Sequence, residues 1–464
     1  SISAKKLPAA AVDSAVVAAG VTDMTATTER KERSVSATLA AATCALLGTT
    51  AAAPVDAQEE PKWDFNTSLL YYGEDENRVQ DVSLKSIIRR LFTDDRTLSL
   101  GLTVDTLTGA TPSGAIRQDV PQSFTRPSGI SSYDVPAGEL PLDDTFKDTR
   151  VAITAGWQQP AGEKGLLSVG FSASKEYDYL HTGVNASYAH DFNNRNTTVS
   201  AGFAFASDSI EPVGGAPIPL TNMLDVGDTS NRAGDQDKDV LDVVFGVSQV
   251  ISKNLLVQAN YSFSQSDGYL NNPYKVLSMV DSVTGDTLTR TPGIEGGPSG
   301  IFLFEGRPDE RTQHSVYTQA KYFMNGKVLD ASYRYMTDDW EIDSHTLDVR
   351  YRWPIGDSSY IEPHVRYYTQ TEAEFYRLSL VDDSLVPLPQ FASSDYRLGN
   401  FDAITAGLKY GWKTRNDNDM SIRVEWYTQS GTVPAGQLIG NQASRDNYPD
   451  LNALIVQFSY RFSR

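Results

Sequence analysis

The densest set of groups able to bind or move charge lies between residues 328 and 374. Asp330, Ser332 and Arg334 alternate there with Leu329, Ala331, Tyr333 and Tyr335. The next segment alternates Asp348, Arg350 and Arg352 with Leu347, Val349, Tyr351 and Trp353. A third carries Glu362, His364, Arg366, Tyr368 and Gln370 in one phase, with Glu372 and Glu374 beyond. A period of two places each charged set on one face of a strand. Three such strands side by side make a ladder of both signs. An ion-paired wall is the favoured reading. The alternative is a selectivity or binding patch in which Arg350, Arg352 and Arg366 attract an anion.

Other constellations are weaker. The histidines, His181, His190, His314, His345 and His364, show no metal-ligand spacing. His345 shares the phase of Leu347, opposite to that of His364. The run Asp235-x-Asp237-x-Asp239 with Asp242, preceded by Asp225 and Asp228, resembles a calcium loop but lacks the glycine and bidentate glutamate of an EF-hand. A solvated acidic loop is the plainer expectation and a bound Ca2+ the sharper one. Asp338-Asp339-Trp340 with His345 is the acid–histidine neighbourhood worth naming, and a tight acidic turn accounts for it. No Gly-x-Ser-x-Gly elbow and no glycine-rich phosphate loop with its lysine occurs.

These residues belong to a chain with a formal net charge of −19 and a pI of about 4.7, which argues against nucleic acid as a partner. Tyrosine contributes 23 residues, as suits a barrel with aromatic girdles. The single cysteine, Cys44, falls in a segment expected to be removed. No apolar run is long enough for a transmembrane helix. Arg30, Lys31 and Arg33 precede the apolar run 34–47, and Val55-Asp56-Ala57 supplies a cleavage site, so 1–57 is expected to be an N-terminal extension and signal peptide. Met24 is a candidate true start.

From Trp63 onward, stretches of about ten residues alternate apolar and polar and then stop at a turn signal. Leu98, Leu100, Leu102 and Val104 alternate with Ser99, Gly101, Thr103 and Asp105; Val199, Ala201, Phe203 and Phe205 alternate with Ser200, Gly202 and Ala204. About sixteen such strands follow one another, beginning near Asp64, Val79, Arg96, Thr149, Leu166, Asp178, Thr197, Asp239, Asn254, Gln313, Val328, Ile342, Tyr360, Asn400, Met420 and Leu451. Short connections fall on one side of the series. Every long one, 109–148, 207–238, 267–311, 379–399 and 431–450, falls on the other. That parity is the pattern of periplasmic turns and extracellular loops. The fold expected over 58–464 is therefore all-β: a transmembrane, up-and-down antiparallel barrel. Its last strand, from Leu451 through Phe462, has the aromatic alternation read by the barrel-assembly machinery, with Ser463 and Arg464 extending past the usual end.

Several segments resemble an uncharacterised outer-membrane barrel family, domain-of-unknown-function family 3570. They are Val104-Asp105-Thr106-Leu107-Thr108-Gly109-Ala110-Thr111-Pro112-Ser113-Gly114-Ala115, Lys175-Glu176-Tyr177-Asp178-Tyr179, and Asp191-Phe192-Asn193-Asn194 leading to Thr197-Thr198. Further on come Gly268-Tyr269-Leu270-Asn271-Asn272-Pro273-Tyr274-Lys275, Tyr333-Arg334-Tyr335, Glu362-Pro363-His364-Val365-Arg366 and Asp395-Tyr396-Arg397-Leu398. The resemblance spans about Trp63 to the C-terminus and implies a Gram-negative outer-membrane protein without assigned chemistry. It also implies a genetic neighbourhood containing a small lipoprotein and a thioredoxin-like protein.

The function expected is a passive channel or transporter for small solutes, with a charged lumen and loops that fold in. The alternative is a non-conducting scaffold for a periplasmic partner such as a redox-related lipoprotein. An outer-membrane hydrolase stands third. Lipid and lipopolysaccharide are the expected surroundings.

Overall fold

The computed structural model describes residues 62–75, 78–109, 111–143, 147–382 and 387–464; the expected extension and signal peptide lie outside the described residues. In chain order the strands are β1 (Lys62–Glu74), β2 (Gln80–Leu91), β3 (Thr97–Thr108), β4 (Gln122–Thr125), β5 (Ser132–Val135), β6 (Lys147–Pro160) and β7 (Gly165–Lys175). There follow β8 (Tyr179–Phe192), β9 (Thr197–Ile210), β10 (Gln236–Ser252), β11 (Leu255–Gly268), β12 (Val276–Val280), β13 (Phe302–Phe304) and β14 (Glu310–Met324). The last are β15 (Lys327–Asp338), β16 (Asp343–Ile355), β17 (Ser359–Gln370), β18 (Ser379–Val381), β19 (Asn400–Lys413), β20 (Asp419–Thr432) and β21 (Leu451–Ser463).

Sixteen of them form one closed barrel in which each strand pairs antiparallel with the next, and β1 pairs with β21 to complete the ring, Leu69 opposite Phe458. Closure leaves no unpaired sheet edge. The alternation sorts the two faces. Leu69, Leu84, Leu100, Ile153, Phe171, Phe203, Val316, Leu347, Val365 and Trp426 are exposed on the outside. Asp64, Ser83, Asp105, Ser187, Gln319, Asp348, His364, Glu425 and Gln457 are buried on the inside. A lysine or arginine turned outward at the membrane midplane would cost about 2–4 kcal/mol, so the pattern fixes the register of each strand.

Sequence spacing places every barrel strand within about three residues of its observed start. The largest differences, β10 at Gln236 rather than Asp239 and β14 at Glu310 rather than Gln313, are at outer ends. There the ladder continues above the apolar band, so alternation no longer marks it. Turns on the opposite side are tight. Asn325 (φ 50°) and Gly326 (φ 82°) form the two-residue link between β14 and β15, which demands the left-handed backbone that Asn-Gly supplies.

The outer loops are not loose. β12, β13 and β18 form a three-stranded sheet, and β4 pairs with β5. All five residues of β12 and all three of β13 are buried. These short apolar runs lack the period of two because both faces are covered. Tyr396 and Tyr448, from outer loops, pack in one cluster with the inward-facing Tyr72, Leu107, Tyr368 and Tyr427. The loops therefore enter the mouth of the barrel and fill it.

Candidate functional site

The charged ladder lines the lumen at mid-height. His364 bridges two carboxylates: its Nδ1 lies 2.7 Å from Glu425 and its Nε2 2.8 Å from Asp348. Both ring nitrogens must donate to satisfy two carboxylates, so the geometry calls for the imidazolium form. Arg350 lies 3.4 Å from Asp348, Arg423 3.7 Å from Glu425, and Arg352 donates to Glu362 at 3.0 Å while stacking on Tyr360. Asp330 accepts from Gln319 at 2.7 Å and lies 3.6 Å from Lys321; Arg334 donates to Ser315 at 2.9 Å. Thus Asp330, Arg334, Asp348, Arg350, Arg352, Glu362, His364 and Arg366 share one inner surface. Most are ion-paired within it. Lys409, Arg423 and Glu425 belong to the same wall. Sequence reading stopped short of them, although their alternation with Leu408, Val424 and Trp426 carries the same signal.

Above this wall a second charged cluster lies in the loops. Glu305 pairs with Arg307 at 2.7 Å, Arg307 with Asp395 at 2.8 Å, and Asp395 with Arg397; the Ser393 hydroxyl donates to Glu305. Lys275 donates to the Thr111 hydroxyl at 2.9 Å and the Pro112 carbonyl at 2.5 Å. Burial pushes the Glu305 carboxyl up and the Lys275 amine down, each toward its neutral form, while the opposite charges nearby resist. Three of the segments that carry the family resemblance, around Thr111, Lys275 and Asp395, meet in this cluster.

The opposite wall, β6 to β11, is built from small groups: Thr154, Gly156, Gly170, Ser172, Gly183, Asn185, Ser187, Ser200, Gly202, Asn260 and Ser262 occupy its inward phase. Thr154 is exposed although it faces the lumen. Near the outer end of this wall lies a cluster the sequence reading missed. His181 Nε2 is 3.1 Å from the Ser172 hydroxyl, and its Nδ1 is 2.6 Å from Asp208. The order hydroxyl–imidazole–carboxylate is that of a nucleophile relay. However, the other Asp208 oxygen takes Tyr179 at 2.5 Å and Lys238 at 3.1 Å, which spends the charge that would activate the histidine. Strand register could have found this set, since His181 sits opposite Asp208 and two register positions from Ser172 on the same face.

The aspartate run does not converge. Asp235 precedes β10, Asp237 and Asp239 are exposed on it, and Asp242 is buried on the inward phase. From Gln236 the run lies in a strand rather than a coordinating loop: Asp237 and Asp239 share the outward face, and Asp242 turns inward. No group of three or more potential metal ligands occurs among the described residues. His345 and His314 lie on the outer surface, hydrogen-bonded to Tyr333 at 2.6 Å and Tyr261 at 2.8 Å. Asp338 is engaged by Arg311 at 2.6 Å and caps the turn at Trp340 and Ile342.

Among solved structures, a bacterial polysaccharide outer membrane secretin aligns at 10% identity with a TM-score of 0.41, covering 88% of this chain and 99% of the other. OccK5 (OpdH) of Pseudomonas aeruginosa aligns at 10% identity and TM-score 0.36 over 88% and 100%. The CymD monoaromatic hydrocarbon channel aligns at 9% identity and TM-score 0.37 over 88% and 89%. At these values no role passes from them to this chain. A search of curated proteins finds no match. A family model matches residues 36–462, nearly the whole sequence, and the chain belongs to that family, described as "Protein of unknown function (DUF3570)".

Proposed function

We propose that this chain is a channel for small solutes in the outer membrane of a Gram-negative bacterium, closed at its outer mouth by its own loops and opened by their displacement. The observation that carries this reading is the exposure of Thr154 inside the barrel beneath a mouth that is buried. A barrel of sixteen strands leaves more lumen than side chains fill. The small residues of its β6 to β11 wall, with Thr154 exposed among them, support a lane open to water. The plug is held by hydrogen bonds and ion pairs, which a solute or partner can exchange.

The test is single-channel conductance of the refolded protein in planar bilayers, beside Arg307→Ala, with folding verified by heat-modifiable gel mobility. Removing Arg307 leaves Glu305 without its 2.7 Å ion pair and weakens the plug by about 3–5 kcal/mol. Rare openings are expected from the wild type and frequent ohmic steps from the variant, with Thr154→Trp reducing the step size. Silence from both folded proteins overturns the channel.

One observation favours a second reading, a scaffold for a periplasmic partner such as a lipoprotein. At the periplasmic end, the inward phase carries Val250 opposite Leu256 and Phe323 opposite Val328, with Val250 and Phe323 exposed. Photocrosslinking from position 323 in cells would join the barrel to that partner.

A further inference from the structure

Arg366 departs from the rule by which its wall is built. It is 6% exposed, its Nη2 has no hydrogen-bond partner, and no carboxylate lies within ion-pair distance of it among the described residues. The carboxylate nearest in register, Asp348, is committed to His364 and Arg350. Across the other ladder its partner is Thr405, a hydroxyl that adds no charge. Arg334, on the same inner surface, donates to Ser315 and adds a second cation without a carboxylate. A buried lysine or histidine could relieve such a position by losing its proton, but a guanidinium stays charged. Asp348 is thus shared among His364, Arg350 and Arg366, and a buried charge whose counter-charge is so divided is disfavoured.

The space for a counter-charge is present. A cavity of about 10 Å3 lies against Arg366, lined also by Tyr368, Ala403, Thr405 and Tyr427. The Tyr368 and Tyr427 hydroxyls donate to Gln370 and Gln429, each at 2.7 Å. The guanidinium and the Thr405 hydroxyl are left as the donors that face the cavity. The space is small, with room for about one particle the size of a water molecule, which suits a compact anion.

We propose that this cavity binds a small monovalent anion of chloride size, held by Arg366 and Thr405. Binding completes the electrostatics of the charged wall and does not depend on whether the barrel conducts. The first test uses bromide as the probe, in crystals of the detergent-purified protein. An anomalous peak beside Arg366 is expected, and its absence at saturating bromide overturns the site. The second compares thermal unfolding in sodium chloride with sodium gluconate at equal ionic strength. Above the dissociation constant, each tenfold rise in chloride should multiply the folded-to-unfolded ratio by about ten. Arg366→Met should abolish the difference between the salts. Thr405→Val, which keeps the charge and the fold, should shrink it. Equal midpoints in the two salts for the wild type, or an undiminished chloride effect in both variants, also overturn the proposal.

Discussion

Two buried histidines lie on opposite walls of one lumen and are used in opposite ways. His364 on β17 is clamped between Asp348 and Glu425, at 2.8 and 2.7 Å, inside a wall of arginines. His181 on β8, seven strands away around the ring, has a carboxylate at 2.6 Å on one side and a serine hydroxyl at 3.1 Å on the other, in a wall of glycine, serine and alanine. The first is a cation that holds two anions in place. The second has one acceptor partner and one hydroxyl, so it can accept from Ser172 while donating to Asp208. Strand alternation alone gives both walls the same inward polar face. What differs is side-chain size and charge: long ion-paired groups line one wall, and hydroxyl, amide and glycine residues line much of the other.

The sharpest way to break this comparison is to delete each imidazole. His364→Ala leaves Asp348 and Glu425 buried without the cation they share. A loss of about 3–5 kcal/mol is expected, the usual cost of removing one partner from a buried ionic group. His181→Ala leaves Asp208 still bound to Lys238 and Tyr179, so the loss should be about 1 kcal/mol. Denaturant unfolding in detergent micelles measures both. Equal losses would mean that the walls do not differ electrostatically.

The barrel was legible in the sequence because the membrane imposes a strict period. Leu347, Val349 and Trp353 could face lipid only if Asp348, Arg350 and Arg352 faced inward. The same reasoning placed the ladder from Asp330 to Arg366. It does not reach Glu425, because the bridge from His364 crosses a whole intervening strand, β19, whose Gly407 is paired with both residues. Nor did it reach the plug. β12 and β13 are short apolar runs buried on every side, and periodicity says nothing about such runs. The aspartates from Asp235 look like a loop in the sequence because charge outweighs alternation there, although the strand begins at Gln236.

Glycines give a second, smaller contrast. Gly407 faces the charged side, and a β-carbon there would sit 2.4 Å from the Glu425 side chain and 2.7 Å from the Val424 carbonyl. Gly156 faces the open side, where the nearest atoms would be 3.8 Å away. Gly407→Ala should therefore cost about 1–3 kcal/mol by overpacking. Gly156→Ala should fall within about 0.5 kcal/mol of neutral. Unfolding midpoints decide it, and a costly Gly156→Ala would show the lane to be packed.

The smallest effect concerns segment 269–309, which is tied to loops above both walls. On one side Arg290 grips both oxygens of Asp225, at 2.7 and 2.9 Å, and the Gly293 amide donates at 3.1 Å. On the other, Arg445 reaches Asp286 at 2.7 Å. The hydrogen bond from Arg290 holds the Asp225 carboxyl below the usual aspartate range. A carboxyl depressed in the folded state stabilises it above the unfolded value, and that contribution is lost as pH falls through the folded value. Limited proteolysis within 281–299 should therefore speed up between about pH 5 and pH 3. Asp225→Asn should raise the rate at neutral pH and flatten its pH dependence, while the Asp286 tie keeps the far end attached. If the variant and the wild type were cut alike at every pH, the segment would be anchored from the charged side alone, and the two loops would not share the load.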